Sequence, residues 1–185
     1  RRTLEAVATS TVERNTINVA KAVAEIVPKN ANAVVQISAY KSCAAFISEM
    51  KKAGSSPTFW NVSFVGSKAL AAELGREGRG VLISQVVPFP WDSSIPVVKE
   101  YRALIEEAKG EPGFGTLEGY VAAKVMVEGL RRAGKNLTRE SFIKAMESLD
   151  PYDAGGFKVT YGPGNHNGST FVDLTIISRG QKFVR

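Results

Sequence analysis

Residues 1–91 alternate short runs rich in β-branched and aromatic side chains with longer runs of helical periodicity, and few folds satisfy that rhythm. A period of two places alternate side chains on opposite faces of a strand, and a period of 3.6 gathers them on one stripe of a helix. Strand-like and helix-like runs taking turns are the mark of βαβ units feeding a parallel sheet. Four strands are expected, at Thr3–Ala8, Ala33–Ser38, Thr58–Ser63 and Gly80–Val87. The second and fourth are almost continuously apolar, as strands covered on both faces are.

Three helices fit between them. The first follows a cap at Asn15 or Thr16, carries Val19, Ala20, Val23, Ile26 and Val27, and stops at Pro28. The second runs from Tyr40 to Ala53, with Gly54 free to take the left-handed conformation that closes a helix. The third is short, from Ser67 to Gly75. After the proline-rich Val87-Pro88-Phe89-Pro90-Trp91 the rhythm changes to three helical patterns in succession, Ser94–Lys109, Thr116–Ala133 and Thr138–Leu149. In the middle one only Lys124, Glu128 and Arg131 form a polar stripe, so most of its circumference is expected to be buried. The tail reads as two strands, Phe157–Tyr161 and Thr170–Ser178, joined by a turn-rich segment from Gly162 to Gly168.

Composition closes off several function classes. A net charge of +6 raises nucleic acid as a partner, but the cations are dispersed among acids and sit where helices end, so no nucleic-acid surface is expected. No apolar run approaches the ~20 residues of a membrane-spanning helix, and no signal sequence opens the chain, so any secretion signal is expected to have been removed or never present. The single cysteine, Cys43, shares a helical face with Ala44, Phe46, Ile47 and Met50 and reads as a small core residue. The single histidine, His166, sits in a Gly/Asn-rich turn with no nucleophile beside it, so no catalytic triad, no metal site and no cofactor are expected. Gly75-Arg76-Glu77-Gly78-Arg79-Gly80 follows a helix and precedes a strand, the reverse of the order that cradles phosphate. The Asn-x-Ser/Thr triplets at Asn61, Asn136 and Asn167 matter only in a glycosylating host.

What remains is a geometric rule: open α/β sheets bind ligands beyond the carboxyl ends of their strands. The rule nominates Ser10, Ala39 with Tyr40, Ser63 with Phe64, and Pro88 to Trp91. A tyrosine at a strand-to-helix corner can pack on a ligand and hydrogen-bond it, or it can be a core residue of the helix start.

Several segments in order carry a resemblance: Val12-Glu13-Arg14-Asn15-Thr16, Ala33-Val34-Val35 through Ala39-Tyr40, Ser63-Phe64-Val65-Gly66, Ser84-Gln85-Val86-Val87-Pro88, Leu117-Glu118-Gly119-Tyr120 through Ala133-Gly134, and Leu137-Thr138-Arg139-Glu140. Together they resemble the C-terminal half of periplasmic solute-binding proteins of the leucine/isoleucine/valine type. That resemblance implies an α/β, parallel-sheet three-layer lobe of a type I periplasmic binding protein, with extra helices that belong to the other lobe. Residues 1–91 would form the core of the second lobe, 92–150 the crossover and helices that pack on the first lobe, and 151–185 the strands returning to the second.

It further implies a protein that captures a small organic solute by closing two lobes, without transforming it, and delivers it to an ABC permease from the periplasm. The ligand-binding residues it points to are Tyr40, Ser63 and Phe64, with Arg14 and Trp91 behind them. Amino-acid binders of the family place a carboxylate near Ser63 to hold the substrate ammonium. A hydroxyl there points instead to a carboxylate or aromatic acid, although Asp92 could supply the charge. A surface left by an absent lobe would be covered by self-association, repacking or that lobe itself. A ligand-sensing regulatory or enzymatic domain on the same scaffold is the competing expectation.

Overall fold

The computed structural model describes residues 5–185, which fall into two units: residues up to Gln85 together with Leu174–Arg185, and Val86–Asp173.

The first unit carries α1 (Ala20–Ile26), β1 (Ala33–Gln36), α2 (Tyr40–Lys52), β2 (Thr58–Asn61), α3 (Ser67–Leu74) and β3 (Leu82–Gln85). It is completed by β6 (Asp173–Ile177), which enters the unit at Leu174, and β7 (Phe183–Val184). The strands form one sheet in the order β1-β2-β3-β6-β7. The β1–β2 and β2–β3 ladders are parallel, as the βαβ rhythm requires, and β6–β7 is antiparallel. Gly80 donates to the Ile177 carbonyl while Thr175 reaches that of Ile83, so numbers fall on β6 as they rise on β3 and the two run antiparallel.

One face of this sheet is covered by helices. Cys43, Phe46, Ile47 and Met50 recur at helical spacing on α2 and meet Leu70, Ala71 and Leu74 of α3 over Phe59, Ile83 and Ile177 from the strands. Ile47, Leu70, Ile83 and Ile177 are wholly buried, each stabilising the fold by about 1.5–3 kcal/mol relative to exposure. A polar tie lies within this layer: Gln85 Nε2 donates to Ser67 Oγ at 3.1 Å and to Thr175 Oγ1 at 3.0 Å. Thr175 Oγ1 in turn donates to the Ile83 carbonyl at 3.2 Å. The last strands are thereby fastened to the parallel core by buried hydrogen bonds as well as by the ladder.

The second unit holds α4 (Pro96–Glu107), α5 (Phe114–Ala133), α6 (Arg139–Glu147) and a small antiparallel pair, β4 (Tyr152–Asp153) with β5 (Lys158–Val159). Pro96 sits at the start of α4, where a missing N–H costs nothing. Thr138 caps α6 in a reciprocal box with Ser141. Gly129 lets α6 come close, since a Cβ there would lie 2.3 Å from Met146 Sδ. Gly155 adopts φ +107° and takes the Val97 N–H on its carbonyl at 2.8 Å, a turn that a side chain would strain.

Several expectations are corrected. Of the expected strand Thr3–Ala8, Thr3 and Leu4 lie outside the described residues, and Glu5–Ala8 form no strand. The first helix is capped by Val19, not by Asn15 or Thr16: Asn15 adopts φ +61°, and the Thr16 hydroxyl turns back to the Glu13 carbonyl at 3.0 Å. The strand runs expected at Phe157–Tyr161 and Thr170–Ser178 join different sheets. Each strand is also shorter than its apolar run, because the ladder ends where the chain turns toward the next helix. In α5, Leu117, Val121, Val125 and Gly129 are enclosed, and Met126 and Val127 are each 54% exposed. Within its own unit α5 is flanked by α4 and α6, which cover one stripe. Among the described residues no helix is long and apolar enough to cross a membrane.

Candidate functional site at the carboxyl rim of the first unit

The parallel strands deliver their successors to one rim. Beyond β1 the chain passes through Ile37, Ser38 and Ala39 and enters α2 at Tyr40, with Ala39 in extended conformation and its carbonyl accepting from Cys43 N at 3.0 Å. Beyond β2, Val62 leads into a 3-10 turn, Ser63–Val65, closed by Gly66 at φ +81°, whose carbonyl accepts from Leu70 N at the start of α3. A left-handed residue is needed to reverse the chain between turn and helix, which is why glycine stands there. The tight turn leaves Val65 in the core and pushes Phe64 outward, 62% exposed.

A cavity of about 790 Å³ opens at this rim and runs down beside β1. Its lining includes Arg14, Ser38, Ala39 and Phe64 together with Val34, Gln36, Cys43 and Phe46. Arg14 is exposed and brings the only formal charge among the lining residues; no carboxylate joins it. Ser10, Ser38 and Ser42 add hydroxyls, of which the Ser42 hydroxyl is committed to the Thr16 carbonyl at 2.5 Å. The arrangement can offer a cation, hydroxyls and an aromatic edge to a solute, and no carboxylate to an ammonium.

Of the residues nominated from sequence, Arg14 and Phe64 line this cavity. Tyr40 and Ser63 stand one residue along the chain from the lining residues Ala39 and Phe64 and are not among those that line it. Tyr40 is half-buried and packs against the helical core. Trp91 belongs to the second unit, where its ring packs on Phe89 at 5.0 Å and Phe114 at 5.7 Å. His166 is exposed, and its Nε2 lies 3.0 Å from Glu147 Oε1. Among the described residues no group of three His, Cys, Asp or Glu side chains is placed to hold a metal ion.

Sequence reasoning missed a buried polar row. Gln36 and Asn61 are 9% and 2% exposed and pair across the β1–β2 ladder. Both Asn61 side-chain polar atoms, Gln36 Oε1 and Ser10 Oγ are buried without a hydrogen-bond partner among the described residues. The available signal was parity: Asn61 falls two residues after Phe59, and Gln36 two after Val34, so each follows a core position onto the same face.

In the second unit, Lys124 Nζ meets Glu100 Oε2, which also accepts from Tyr120 Oη at 3.0 Å. The Lys124 hydrogen bond holds the Glu100 carboxyl below its usual range. Burial draws the Lys124 ammonium down, and the Glu100 partner outweighs it and raises the group. A smaller cavity of about 310 Å³ beside them is lined by Tyr120, Lys124, Val127, Glu128 and Tyr152, among others.

Comparison with known proteins places this geometry. A possible leucine/isoleucine/valine-binding protein from Rhodopirellula baltica superposes with a TM-score of 0.87 at 30% identity, over 94% of this chain and 48% of its own. A substrate-binding periplasmic protein from Ralstonia solanacearum gives 0.80 at 30% identity, over 92% and 50%. A branched-chain amino acid ABC transporter protein from Thermus thermophilus, solved with bound valine, shares the fold at 0.73 and 16% identity, over 95% and 50%. The chain therefore spans about half the length of the structures it matches. No curated protein matches it in sequence. The periplasmic binding protein family matches from residue 2 to residue 181, nearly end to end, and the chain belongs to that family.

Proposed function

We propose that the chain forms part of the solute-binding component of an ABC uptake transporter, acting in the periplasm and passing its ligand to a membrane permease. Family membership supports the binding role, and three solved relatives are named for substrate or amino-acid binding. The ligand is an organic acid, aromatic or otherwise carboxylate-bearing, rather than a branched-chain amino acid.

One observation carries that choice: the rim cavity is lined by Arg14, serines and Phe64, with no carboxylate to hold an ammonium. Ser63, at the corner where the resemblance expects an acid, has only a hydroxyl to offer. A charge-assisted hydrogen bond is worth about 1.5–3 kcal/mol, so an amino-acid ligand without one forfeits about tenfold or more in affinity. Calorimetry on the full-length protein tests the proposal with benzoate and 4-hydroxybenzoate against leucine and valine. The acids are expected to bind, and Arg14→Ala to weaken them by about tenfold or more. Tight leucine or valine binding with no response to the acids would overturn the ligand assignment.

A further inference from the structure

The end of the first unit's sheet opposite the rim gathers positive charge. A 3-10 turn, Gly75–Gly78, precedes β3, and another, Arg179–Gln181, joins β6 to β7. Because β3 and β6 are antiparallel neighbours, the two turns pack on one another. Gly80 N donates to the Ile177 carbonyl at 2.9 Å, and a Cβ on Gly78 would lie 3.6 Å from Ile177 Cγ2. Each turn is closed by its own bonds: Val81 N donates to the Gly78 carbonyl at 3.0 Å, and Ser178 N to the Lys182 carbonyl at 2.7 Å. Arg76 and Arg79 are thereby brought to the same end of the unit as Arg179 and Lys182, about a hundred residues away in sequence.

These four side chains are exposed, and none of them makes a hydrogen bond or ion pair among the described residues. Lys51 joins them from the last turn of α2, its Nζ donating to the Glu77 carbonyl. The one acid within the turns, Glu77, is engaged by the same helix, its Oε2 accepting from Ser48 Oγ at 2.5 Å. With Glu73 of α3 counted, two acids stand against five cations.

The composition of this patch narrows what it fits. Interfaces between proteins centre on aromatic or aliphatic anchors sealed from water. None of the exposed large apolar side chains belongs to residues 75–80 or 178–182. The cations come from three separate elements, and each stands at the surface, so they match an extended surface of opposite sign. A phospholipid headgroup layer offers many phosphates and demands no complementary shape. Three of the four unpaired cations are arginines, whose planar guanidinium takes phosphate oxygens in pairs.

We propose that this basic end of the first unit is an interaction surface for anionic phospholipid headgroups. Lys51, Arg76, Arg79, Arg179 and Lys182 rest on the headgroup layer and leave the rim, at the other end of the sheet, clear of the lipid. Each basic residue near an anionic surface strengthens adsorption by about fivefold. A protein adsorbed in this way meets a membrane permease by diffusion in two dimensions. The proposal stands apart from the ligand assignment, since it concerns the opposite end of the sheet, and either can fail alone.

The test is sedimentation of the full-length protein with two kinds of vesicle, phosphatidylcholine alone and phosphatidylcholine mixed with phosphatidylglycerol, in low salt and in physiological salt. The protein is expected to sediment with the phosphatidylglycerol vesicles only, and less as salt rises. Arg79→Gln combined with Arg179→Gln should weaken that binding by about 25-fold, the product of the two single effects. Lys109→Gln combined with Lys135→Gln removes the same charge from exposed positions of the second unit and should weaken it by less than about twofold. Circular dichroism melts report that the variants are folded, and Arg76→Gln combined with Lys182→Gln repeats the test should the first pair not fold. The proposal is overturned if phosphatidylglycerol vesicles take up no more protein than phosphatidylcholine ones, or if the patch variants lose no more binding than the control pair. Release by inorganic phosphate at constant ionic strength overturns it in favour of a site for a single anion. Dependence of permease binding in phosphatidylcholine on the same cations, with no response to phosphatidylglycerol, overturns it in favour of an acidic protein partner.

Discussion

Thr175→Val probes the buried tie between β3 and β6 without changing the shape of the core. Thr175 is wholly buried, donates to the Ile83 carbonyl at 3.2 Å and accepts from Gln85 Nε2 at 3.0 Å. Valine matches threonine in volume, so no cavity opens and the loss is polar. The hydrogen bond to the Ile83 carbonyl contributes about 1 kcal/mol, and a Gln85 N–H left dry costs about 1–3 kcal/mol. Gln85 retains Ser67 at 3.1 Å, which favours the lower part of that range. The sum is about 2 kcal/mol, which for a chain of 185 residues lowers the melting temperature by about 4–8 °C.

Gln85→Leu alone is expected to cost about 1–2 kcal/mol, because Thr175 keeps its carbonyl acceptor. The double variant removes donor and acceptor together and should be less destabilised than the sum of the two by about 1 kcal/mol or more. Urea denaturation followed by circular dichroism measures all four proteins. A Thr175→Val change within about 0.5 kcal/mol of the parent, or strict additivity of the pair, would refute the reasoning.

Other perturbations read out separate features. Tyr101→Phe removes an oxygen that contacts Thr116 Oγ1 at 2.5 Å and accepts from Gly113 N at 2.8 Å, and should destabilise the second unit by about 1–2 kcal/mol in the same assay. The depressed Glu100 carboxyl contributes stability that is present above the usual carboxylate range and is lost as pH falls through its lowered folded value. Glu100→Gln is therefore expected to flatten that part of the acid limb in thermal melts from neutral pH to pH ~3. The carboxylate is exposed enough for salt to weaken the effect. Burial pushes the Cys43 thiol up to about 11, a contact with the Ser38 carbonyl offsetting part of the rise. At pH ~8 about one molecule in a thousand holds the thiolate, so iodoacetamide should label Cys43 only after denaturant is added; stoichiometric labelling of the folded chain would contradict its place in the core.

Local sequence determined the element types and the family. Cys43, Phe46, Ile47 and Met50 repeat at helical spacing, and α2 buries that stripe. Pro96 and Thr138 marked the starts of α4 and α6 because missing donors and capping hydroxyls act within a single turn. Of the residues nominated from sequence, Arg14 and Phe64 line a cavity at the carboxyl rim. Tertiary structure decided what depends on a partner. Whether Thr3–Ala8 joins a sheet is a question of what lies beside it, and the β-rich run Glu5–Ala8 forms no strand where no neighbour completes the ladder. The apolar run at Ala33–Ser38 read as a strand covered on both faces, yet β1 is an edge with Val35 and Ile37 bare, because hydrophobicity records that burial is wanted but not which segment provides it. Gln36 and Asn61 looked like ordinary polar strand residues until register set them side by side in the core. Periodicity is written within a few residues of chain; register, edges and the pairing of buried amides arise only when distant segments are brought together.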